Sequence, residues 1–253
     1  MNEPIFELSN VEYIYPGGVR ALRGIDLTVM PGESIAIMGT NGSGKSTLLK
    51  IMDGLYFPSK GVIKALGAEL SERQFQEESF AFAFRKKVGL LFQDPDVQLF
   101  STTVLDEVAF APLNMGMDRE EAMIRVYSAL DALGIENLKD RAPYMLSEGE
   151  KKKVAMASLL SLDPDVWLLD EPTANLDPRT QGWIIEFLLS LAEKGKTLVI
   201  AIHDLDVAES VARKIYVLGE NHKIVAQGTS HEILGYKDIL VQNNLLGQRR
   251  YRV

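Results

Sequence analysis

The stretch Gly39-Thr40-Asn41-Gly42-Ser43-Gly44-Lys45-Ser46-Thr47 matches the pattern G-x-x-x-x-G-K-[ST] at every defined position. It follows the apolar run Ser34–Met38, which predicts a strand, and it leads into Lys45–Gly54, which predicts a helix ending at Gly54. Small residues let successive backbone N–H groups turn toward one anion, and a helix N-terminus adds roughly half a positive charge. A glycine-rich turn without a ligand is the alternative, but the flanking strand and helix favour a phosphate-binding loop. The pattern assigns Lys45 to the β- and γ-phosphates and the Ser46 hydroxyl to Mg²⁺.

Composition places the chain among ordinary globular proteins. With 253 residues, of which 46% are apolar and 25% charged, it can form one large α/β domain. Its longest apolar runs, such as Val166–Leu169, have the length of a strand, so we expect no membrane span. The start lacks the features of a signal peptide, and the lack of cysteine excludes disulfides, which fits a cytosolic protein. A formal net charge of −8 argues against a general nucleic-acid binder, so we expect no nucleic-acid partner.

Strand and helix patterns alternate along the chain and predict an α/β fold. Ile5–Val11 and Ile25–Val29 predict antiparallel strands, whereas Val166–Leu169 and Thr197–Ile202 read as buried parallel strands covered by helices on both faces. Further predicted elements are strands at Gly61–Lys64 and Val88–Phe92, helical spacing through residues 104–140, helices at Ser147–Leu162, Arg179–Glu193 and Val207–Ala212, and a hairpin of Ile215–Leu218 with Lys223–Gln227. The polar and aromatic residues between positions 64 and 88 receive no assigned element. These patterns indicate two lobes within one domain.

Two carboxylates follow one of the apolar strands. Asp170 and Glu171 come directly after Val166–Leu169, and ligands bind at the carboxyl ends of parallel strands. Asp170 can bind Mg²⁺ directly or through water, and Glu171 can orient or deprotonate an attacking water. A polar turn after a strand is the alternative interpretation. His203 follows the strand Thr197–Ile202 and can hydrogen-bond a γ-phosphate or the attacking water, although a lone histidine there is more often structural.

A further motif narrows the family. The segment Leu146-Ser147-Glu148-Gly149-Glu150 precedes three lysines and resembles the LSGGQ signature of ATP-binding cassette (ABC) ATPases. Other family elements occur in the family's order: Tyr15 resembles the aromatic residue that stacks on adenine, Gln93 the Q-loop glutamine, Ala174-Asn175-Leu176-Asp177 the D-loop, and His203 the switch histidine. The resemblance extends from Tyr15 to about residue 235. It implies an ABC-type P-loop NTPase with a mostly parallel sheet core and an antiparallel β subdomain. The implied ATP-binding domain spans residues 5–235, its helical subdomain lies at about 94–162, and a helical tail follows at 236–253.

The signature departs from the family pattern at two positions. Glu148 replaces a glycine, and Glu150 replaces the glutamine. In the family, the signature serine and its helix N-terminus face the γ-phosphate of an ATP held by a partner subunit, where two carboxylates are unfavourable unless they turn aside. Ser147-x-x-Glu150 also fits a capping box, which gives Glu150 a local structural role. The role of Glu150 toward ATP therefore stays open, whereas Ser147 and Gly149 keep the family's pattern.

The resemblance also implies a mechanism and partners. Two ATPase subunits, identical or different, hold ATP and Mg²⁺ between the phosphate loop of one and the signature and Asp177 of the other. Glu171, His203 and Gln93 are the implied catalytic residues, and Ser46, Gln93 and Asp170 are the implied Mg²⁺ ligands. Hydrolysis then shifts the pair from closed to open. Gln93 also links the site to a groove that receives a coupling helix of a membrane partner, so we expect a peripheral protein on the cytoplasmic face of the cell membrane.

The segments at residues 92–100 and 108–114, together with Pro16-Gly17-Gly18, resemble the ATPases of energy-coupling factor (ECF) importers. The signature and its lysines resemble the cobalt/nickel type, which implies an integral membrane coupling subunit and a substrate-binding membrane subunit. An ECF ATPase for a vitamin remains an alternative. A non-transport ABC ATPase acting on a macromolecular complex would usually carry two cassettes or a long insertion. A GTPase or small-molecule kinase would not need the signature, and a binding-only regulatory protein would tend to lose Glu171 or Lys45.

Overall fold

The computed structural model describes residues 3–247, which form two β-sheets and ten α-helices. The strands are β1 Phe6–Ile14, β2 Arg20–Val29, β3 Ser34–Met38, β4 Lys60–Ala65, β5 Ala68–Glu69, β6 Val88–Leu91, β7 Val166–Asp170, β8 Thr197–Ile202, β9 Lys214–Leu218 and β10 Ile224–Thr229. The helices are α1 Lys45–Met52, α2 Glu72–Phe75, α3 Glu78–Lys87, α4 Val104–Asn114, α5 Arg119–Ala132, α6 Glu148–Leu162, α7 Pro178–Glu193, α8 Leu205–Val211, α9 Ser230–Gly235 and α10 Lys237–Gln242. The last six residues of the predicted tail, 248–253, lie outside the described residues.

The two sheets have different strand arrangements. The smaller one, ordered β2-β1-β4-β5, is antiparallel. The larger one, ordered β10-β9-β3-β8-β7-β6, is parallel except for β10 at its edge. Every residue of β3, β7 and β8 is buried, as strands covered on both faces require. The predicted α/β fold, with its parallel core and antiparallel sheet, is confirmed.

Helices cover both faces of the larger sheet. On one face, α4, α5 and α6 pack together and share an apolar cluster with Trp167 and Leu169 of β7. On the other face, α1 and the antiparallel sheet enclose a second cluster that includes Leu48 and Leu168. Full burial of each such side chain stabilises the fold by about 1.5–3 kcal/mol. Among residues 3–247, no helix has both the length and the apolar character needed to cross a bilayer.

The strand register brings together the carboxyl ends of β3, β7 and β8 on one side of the larger sheet, together with the segments that follow them. In the parallel pairings, Met38 lies beside Ile202 and Asp170 lies beside Ala201. The phosphate loop, Glu171 and His203 each follow one of these strand ends. The fold therefore brings together residues that are more than a hundred positions apart in the sequence.

Helices α2 and α3 were not predicted, because both lie between positions 64 and 88, where the sequence pattern assigned no element. The structure forms α3 in the polar and aromatic stretch, where Phe80 and Phe84 pack against the ring of Phe75 at centroid distances of 5.4 and 5.2 Å. Its N-cap residue, Glu77, makes no side-chain capping bond, so the usual helix start signal is missing. Strand β1 also extends beyond its predicted end at Val11, to Ile14. Asn10 adopts φ 49°, and the pairing with β2 shifts register between Leu8 and Val11, which interrupts the period-two pattern.

Candidate functional site

The phosphate loop ends in a helix start that borders a cavity of about 340 Å³. Gly44, the N-cap of α1, has φ 116°, a conformation that residues with a Cβ rarely adopt. A Cβ at Gly44 would also collide with the carbonyl oxygen of Ala21 and lie 2.9 Å from Leu22 Cδ2. Gly44 supplies no side-chain cap, so the first N–H groups of α1 remain available to an anion in this cavity.

Lys45 is held inside this loop by three oxygen atoms. Its Nζ donates to the carbonyl oxygens of Gly39 at 2.7 Å and Thr40 at 3.3 Å, and it lies 3.2 Å from Glu171 Oε1. The side chain is only 6% exposed. The cation of the loop and the carboxylate after β7 therefore form one charge cluster.

Glu171 occupies a constrained position between two partners. Its φ is 47°, which is uncommon for a residue with a side chain, and its N–H donates to the Ala201 carbonyl oxygen at 3.0 Å. Besides the contact to Lys45, its Oε2 lies 2.9 Å from His203 Nδ1. Backbone outliers of this kind concentrate at functional sites. A buried carboxylate with a fixed direction can accept a proton from water, and the imidazole can orient it.

Asp170 and Ser46 provide oxygen atoms suited to a hard cation. Burial raises the pKa of Asp170, while a hydrogen bond from the Ser46 hydroxyl opposes that shift. Asp170 Oδ1 is buried and has no hydrogen-bond partner among the described residues. Within residues 3–247, no three His, Cys, Asp or Glu side chains group to hold a metal. One carboxylate and one hydroxyl suit Mg²⁺, because this ion usually takes few protein ligands and completes its shell with water and substrate phosphate.

One aromatic ring, that of Tyr15, lines the same cavity and packs against two further tyrosines. Tyr15 lies edge-on to Tyr13 and Tyr56, with ring centroids 5.0 and 5.9 Å away, and its hydroxyl lies 2.9 Å from Thr47 Oγ1. These contacts fix an aromatic ring at the cavity wall, where a planar base can stack. The predicted site residues that line this cavity are Tyr15, Thr40, Asn41, Gly42, Gly44, Lys45, Ser46, Thr47, Gln93 and Glu171.

The signature residues lie elsewhere on the chain. Ser147, Gly149, Glu150 and Asp177 line a second cavity of about 390 Å³, whose lining shares no residue with the first. The structure thus brings the predicted residues together in two groups. One group contains the phosphate loop, and the other contains the signature and the D-loop.

Glu150 turns back onto the start of its own helix. Its Oε2 accepts hydrogen bonds from Ser147 N at 2.8 Å and Ser147 Oγ at 2.7 Å, and the predicted capping box is present. These bonds hold the pKa of Glu150 below its usual value. Asp177 similarly caps α7, accepting from Arg179 N at 3.0 Å and from Thr180 Oγ1 at 2.6 Å. Of the three carboxylates that line the second cavity, Glu150 and Asp177 are therefore engaged within their own helix starts, and Glu148, which replaces the family's glycine, is the third.

Sequence reasoning missed two residues near the first cavity. His222 lines it, and its Nδ1 lies 3.0 Å from the carbonyl oxygen of Ser43. It lies in the turn between β9 and β10, where a lone histidine gives no motif. The sequence shows Lys152 only as one of three lysines after the signature, but its side chain is 1% exposed and donates to the Gln93 carbonyl oxygen. Its apolar neighbours on α6 were the only available signal.

Comparison with known proteins identifies the family. The family model described as ABC transporter matches residues 22–174. A putative ABC transporter ATP-binding protein of Caldanaerobacter subterraneus is 50% identical, over 96% of this chain and 100% of its own. The nickel import ATP-binding protein NikO of Rhodobacter capsulatus is 46% identical, over 96% of both chains. The energy-coupling factor transporter ATP-binding protein EcfA of Methanothermobacter thermautotrophicus is 40% identical, over 95% of this chain and 76% of its own.

Two solved structures share the fold. The structure of cbiO1 from Clostridium perfringens, described as part of the ABC transporter complex cbiONQ, has a TM-score of 0.81 and 36% identity, over 98% of this chain and 97% of its own. A dimeric ATP-binding cassette in a post-hydrolysis state with ADP and Pi has a TM-score of 0.81 and 29% identity, over 89% of this chain and 98% of its own. The chain therefore belongs to the ATP-binding proteins of ABC transporters, which are ATPases that power transport.

Proposed function

We propose that this chain hydrolyses ATP as one member of an ATPase pair that drives an ECF-type importer for cobalt or nickel ions. The observation that carries the proposal is the division of the nucleotide site into two groups of residues at separate cavities of one chain. A complete site then requires a second ATPase chain, either a copy of this one or a relative. The ATP-binding domain spans residues 5–235, with a helical subdomain at about 94–162 and a tail from 236.

In this proposal, the first cavity binds ATP. Tyr15 stacks on the adenine ring, and residues 39–47 surround the phosphates with backbone N–H groups. Lys45 exchanges its loop carbonyl contacts for the β- and γ-phosphates. Because its Nζ already lies 2.7 Å from the Gly39 carbonyl oxygen, only the end of the side chain has to move.

Hydrolysis needs a base and charge neutralisation near the γ-phosphate. Glu171 accepts a proton from the attacking water, and His203 holds the carboxylate and the water in line. Ser46, Asp170 and Gln93 hold Mg²⁺, which neutralises phosphate charge when bound. The buried Asp170 Oδ1, which has no hydrogen-bond partner among residues 3–247, supports its assignment as a ligand.

The partner chain completes the site. Ser147 and Gly149 at the start of α6, with Glu150 and Asp177 beside them, face the γ-phosphate of the ATP held by the other chain. The dimeric cassette that resembles this chain supports such a pair. Because Glu150 accepts hydrogen bonds from the N–H and the hydroxyl of Ser147, its carboxylate restrains the serine hydroxyl. ATP held between the chains stabilises the closed pair, and hydrolysis favours the open pair.

Transport requires contact with membrane subunits. Four large apolar side chains are exposed next to Gln93 in sequence or on α4: Val97, Phe100, Phe110 and Leu113, which are 70%, 65%, 46% and 41% exposed. The rings of Phe100 and Phe110 pack edge to face at 4.7 Å, so this apolar patch has a defined shape. Such a surface suits a helix of an integral membrane coupling subunit, and it supports our proposal that the protein works at the cytoplasmic face of the cell membrane. A substrate-binding membrane subunit completes the assembly.

The metal specificity rests on the resemblance of the signature to the cobalt/nickel type and on similarity to the nickel import protein NikO. Its test is to isolate the chain together with its membrane subunits and reconstitute the complex in proteoliposomes. We expect ATP-dependent accumulation of Co²⁺ or Ni²⁺ by the wild-type complex and none by the complex carrying Glu171→Gln. Uptake of a vitamin instead of a metal would show that the proposed cargo is wrong and would leave the ECF assignment in place. Isolation without any membrane protein, but with a soluble macromolecular complex, would contradict the transport role.

A further inference from the structure

We propose that Lys152 is a positioning residue that holds the backbone of Gln93 and fastens this loop to the signature helix, α6. Its ammonium is the direct link, because Nζ donates to the carbonyl oxygen of Gln93 at 2.5 Å and to that of Phe92 at 3.4 Å. The inference rests on the proposed role of Gln93 at the γ-phosphate and Mg²⁺.

A lysine in this position is costly, which argues against simple packing. The side chain is 1% exposed, and the apolar residues Val154, Ala155 and Met156 of the same helix are buried as well. Burial lowers the pKa of Lys152, and the charges of Asp170 and other nearby carboxylates oppose that shift. An apolar side chain of similar length would fill the space without desolvating an ammonium. The carbonyl contacts and the surrounding carboxylates therefore hold a buried cation behind the candidate Mg²⁺ ligand.

Two further contacts attach the same loop to α6. Lys151 Nζ lies 2.6 Å from Asp96 Oδ1, and Gln98 Nε2 donates to the Ala155 carbonyl oxygen at 3.4 Å. Gln98 Oε1 also accepts from the Phe92 N–H at 3.3 Å, which closes the loop on itself. Of these contacts, the one made by Lys152 lies at Gln93 itself.

The link connects two different nucleotide sites in the proposed pair. Gln93 lines the cavity for the chain's own ATP, whereas Ser147, at the start of α6, faces the ATP of the partner chain. Lys152 lies five residues after Ser147, which corresponds to about 7.5 Å along the helix axis. A helix is stiff over this length, so a displacement of Gln93 is passed to the signature. Lys152 thereby couples occupation of one site to the position of the signature at the other.

Lys152→Met is the test, because methionine keeps the length of the side chain and removes the charge and donors. Hydrogen exchange of the nucleotide-free protein, read by mass spectrometry, reports the loop directly. We expect exchange of the peptide that covers residues 92–98 to become at least about tenfold faster, since a charge-assisted bond is lost. Lys196→Met is the matched control, because Lys196 also donates to a main-chain carbonyl, that of Asp163. Lys196 precedes β8, whereas the candidate site lies at the other end of this strand, where His203 follows it. Unchanged exchange of residues 92–98 in Lys152→Met would overturn the inference.

Kinetics then separates positioning from general stability. We expect Lys152→Met to lower kcat about tenfold with a smaller change in KM for ATP, and Lys152→Arg to recover part of the loss because it keeps charge and donors. In a background carrying Gln93→Ala, the further loss from Lys152→Met should disappear, because the residue acts through Gln93. Losses that multiply would show that Lys152 acts independently and would refute the proposal. If Gln93→Ala alone hydrolyses ATP normally, the proposed role of Gln93 fails instead, and the exchange result still decides whether Lys152 holds the loop.

Discussion

Replacing Glu171 with glutamine removes one negative charge and leaves a side chain of nearly the same size. In the structure, this carboxylate contacts Lys45 Nζ at 3.2 Å and His203 Nδ1 at 2.9 Å. The amide can still contact both partners, but it cannot accept a proton from water at neutral pH. We therefore expect Glu171→Gln to bind ATP and to lose hydrolysis.

The size of each effect follows from these contacts. General base catalysis contributes about 10²–10⁴ to a rate, so we expect kcat to fall by at least about 10². At an effective dielectric constant near 20, the ion pair with Lys45 carries about 5 kcal/mol of gross Coulomb attraction. Desolvation offsets most of it, and Lys45 keeps its bonds to Gly39 and Thr40, so the net loss of folding stability should be about 1 kcal/mol. Because phosphate no longer competes with a carboxylate for Lys45, ATP affinity should be equal or higher.

Three measurements check this prediction: phosphate release at saturating Mg²⁺ and ATP, calorimetric titration with ATP, and molecular mass in solution. We expect a dimer that forms only with ATP, because nucleotide that is not hydrolysed keeps the pair closed. Glu33→Gln is the matched control, since Glu33 accepts from the Met30 N–H at 2.7 Å at the opposite end of β3. This control should hydrolyse ATP at the wild-type rate. A Glu171→Gln variant with near wild-type turnover would remove Glu171 from its proposed role.

Three further outcomes follow from the same geometry. Lys45→Ala should weaken ATP binding at least about tenfold, because the cation that the Gly39 carbonyl oxygen holds inside the loop is lost, and unchanged affinity by calorimetry would count against the phosphate-loop assignment. His203→Ala should lower kcat about 10²-fold with little change in ATP affinity, and a pure loss of affinity in titrations would contradict its orienting role toward Glu171. Asp170→Asn should abolish Mg²⁺-dependent hydrolysis yet make the nucleotide-free protein more stable than wild type at pH 7. A carboxyl whose pKa is raised by burial costs stability once it ionises, so this gain in urea unfolding should shrink as the pH falls toward 4, and a variant less stable than wild type at pH 7 would refute it.

Much of the fold follows from local signals in the sequence. The strand before the phosphate loop is apolar throughout and ends where the glycines begin, so β3 and α1 are read with almost no error. The capping box at Ser147 is equally local, because both of its hydrogen bonds lie within four residues. Helix α3 shows the limit of this reasoning. Its stability depends on aromatic contacts with Phe75 and the sheet behind it, which no local pattern records.

In the candidate site too, some features could be predicted from local sequence and others could not. The phosphate loop, the acidic pair and the signature are contiguous motifs, and their residues could be named from the sequence. The contacts between motifs could not, because they depend on strand register and on which side chains are buried. The ion pair of Lys45 with Glu171 and the bond of Lys152 to the Gln93 carbonyl each join segments far apart in the chain. The direction of the Glu150 carboxylate could not be predicted from the sequence either, because the spacing allows it to point toward a phosphate or back to Ser147. The structure shows the second arrangement.

The most direct test is a structure of the Glu171→Gln variant determined with Mg²⁺ and ATP. We expect two chains related head to tail, each ATP enclosed by residues 39–47 of one chain, with its γ-phosphate within hydrogen-bonding distance of Ser147 from the other. ATP bound to residues 39–47 of a solitary chain, or found away from them, would contradict the account.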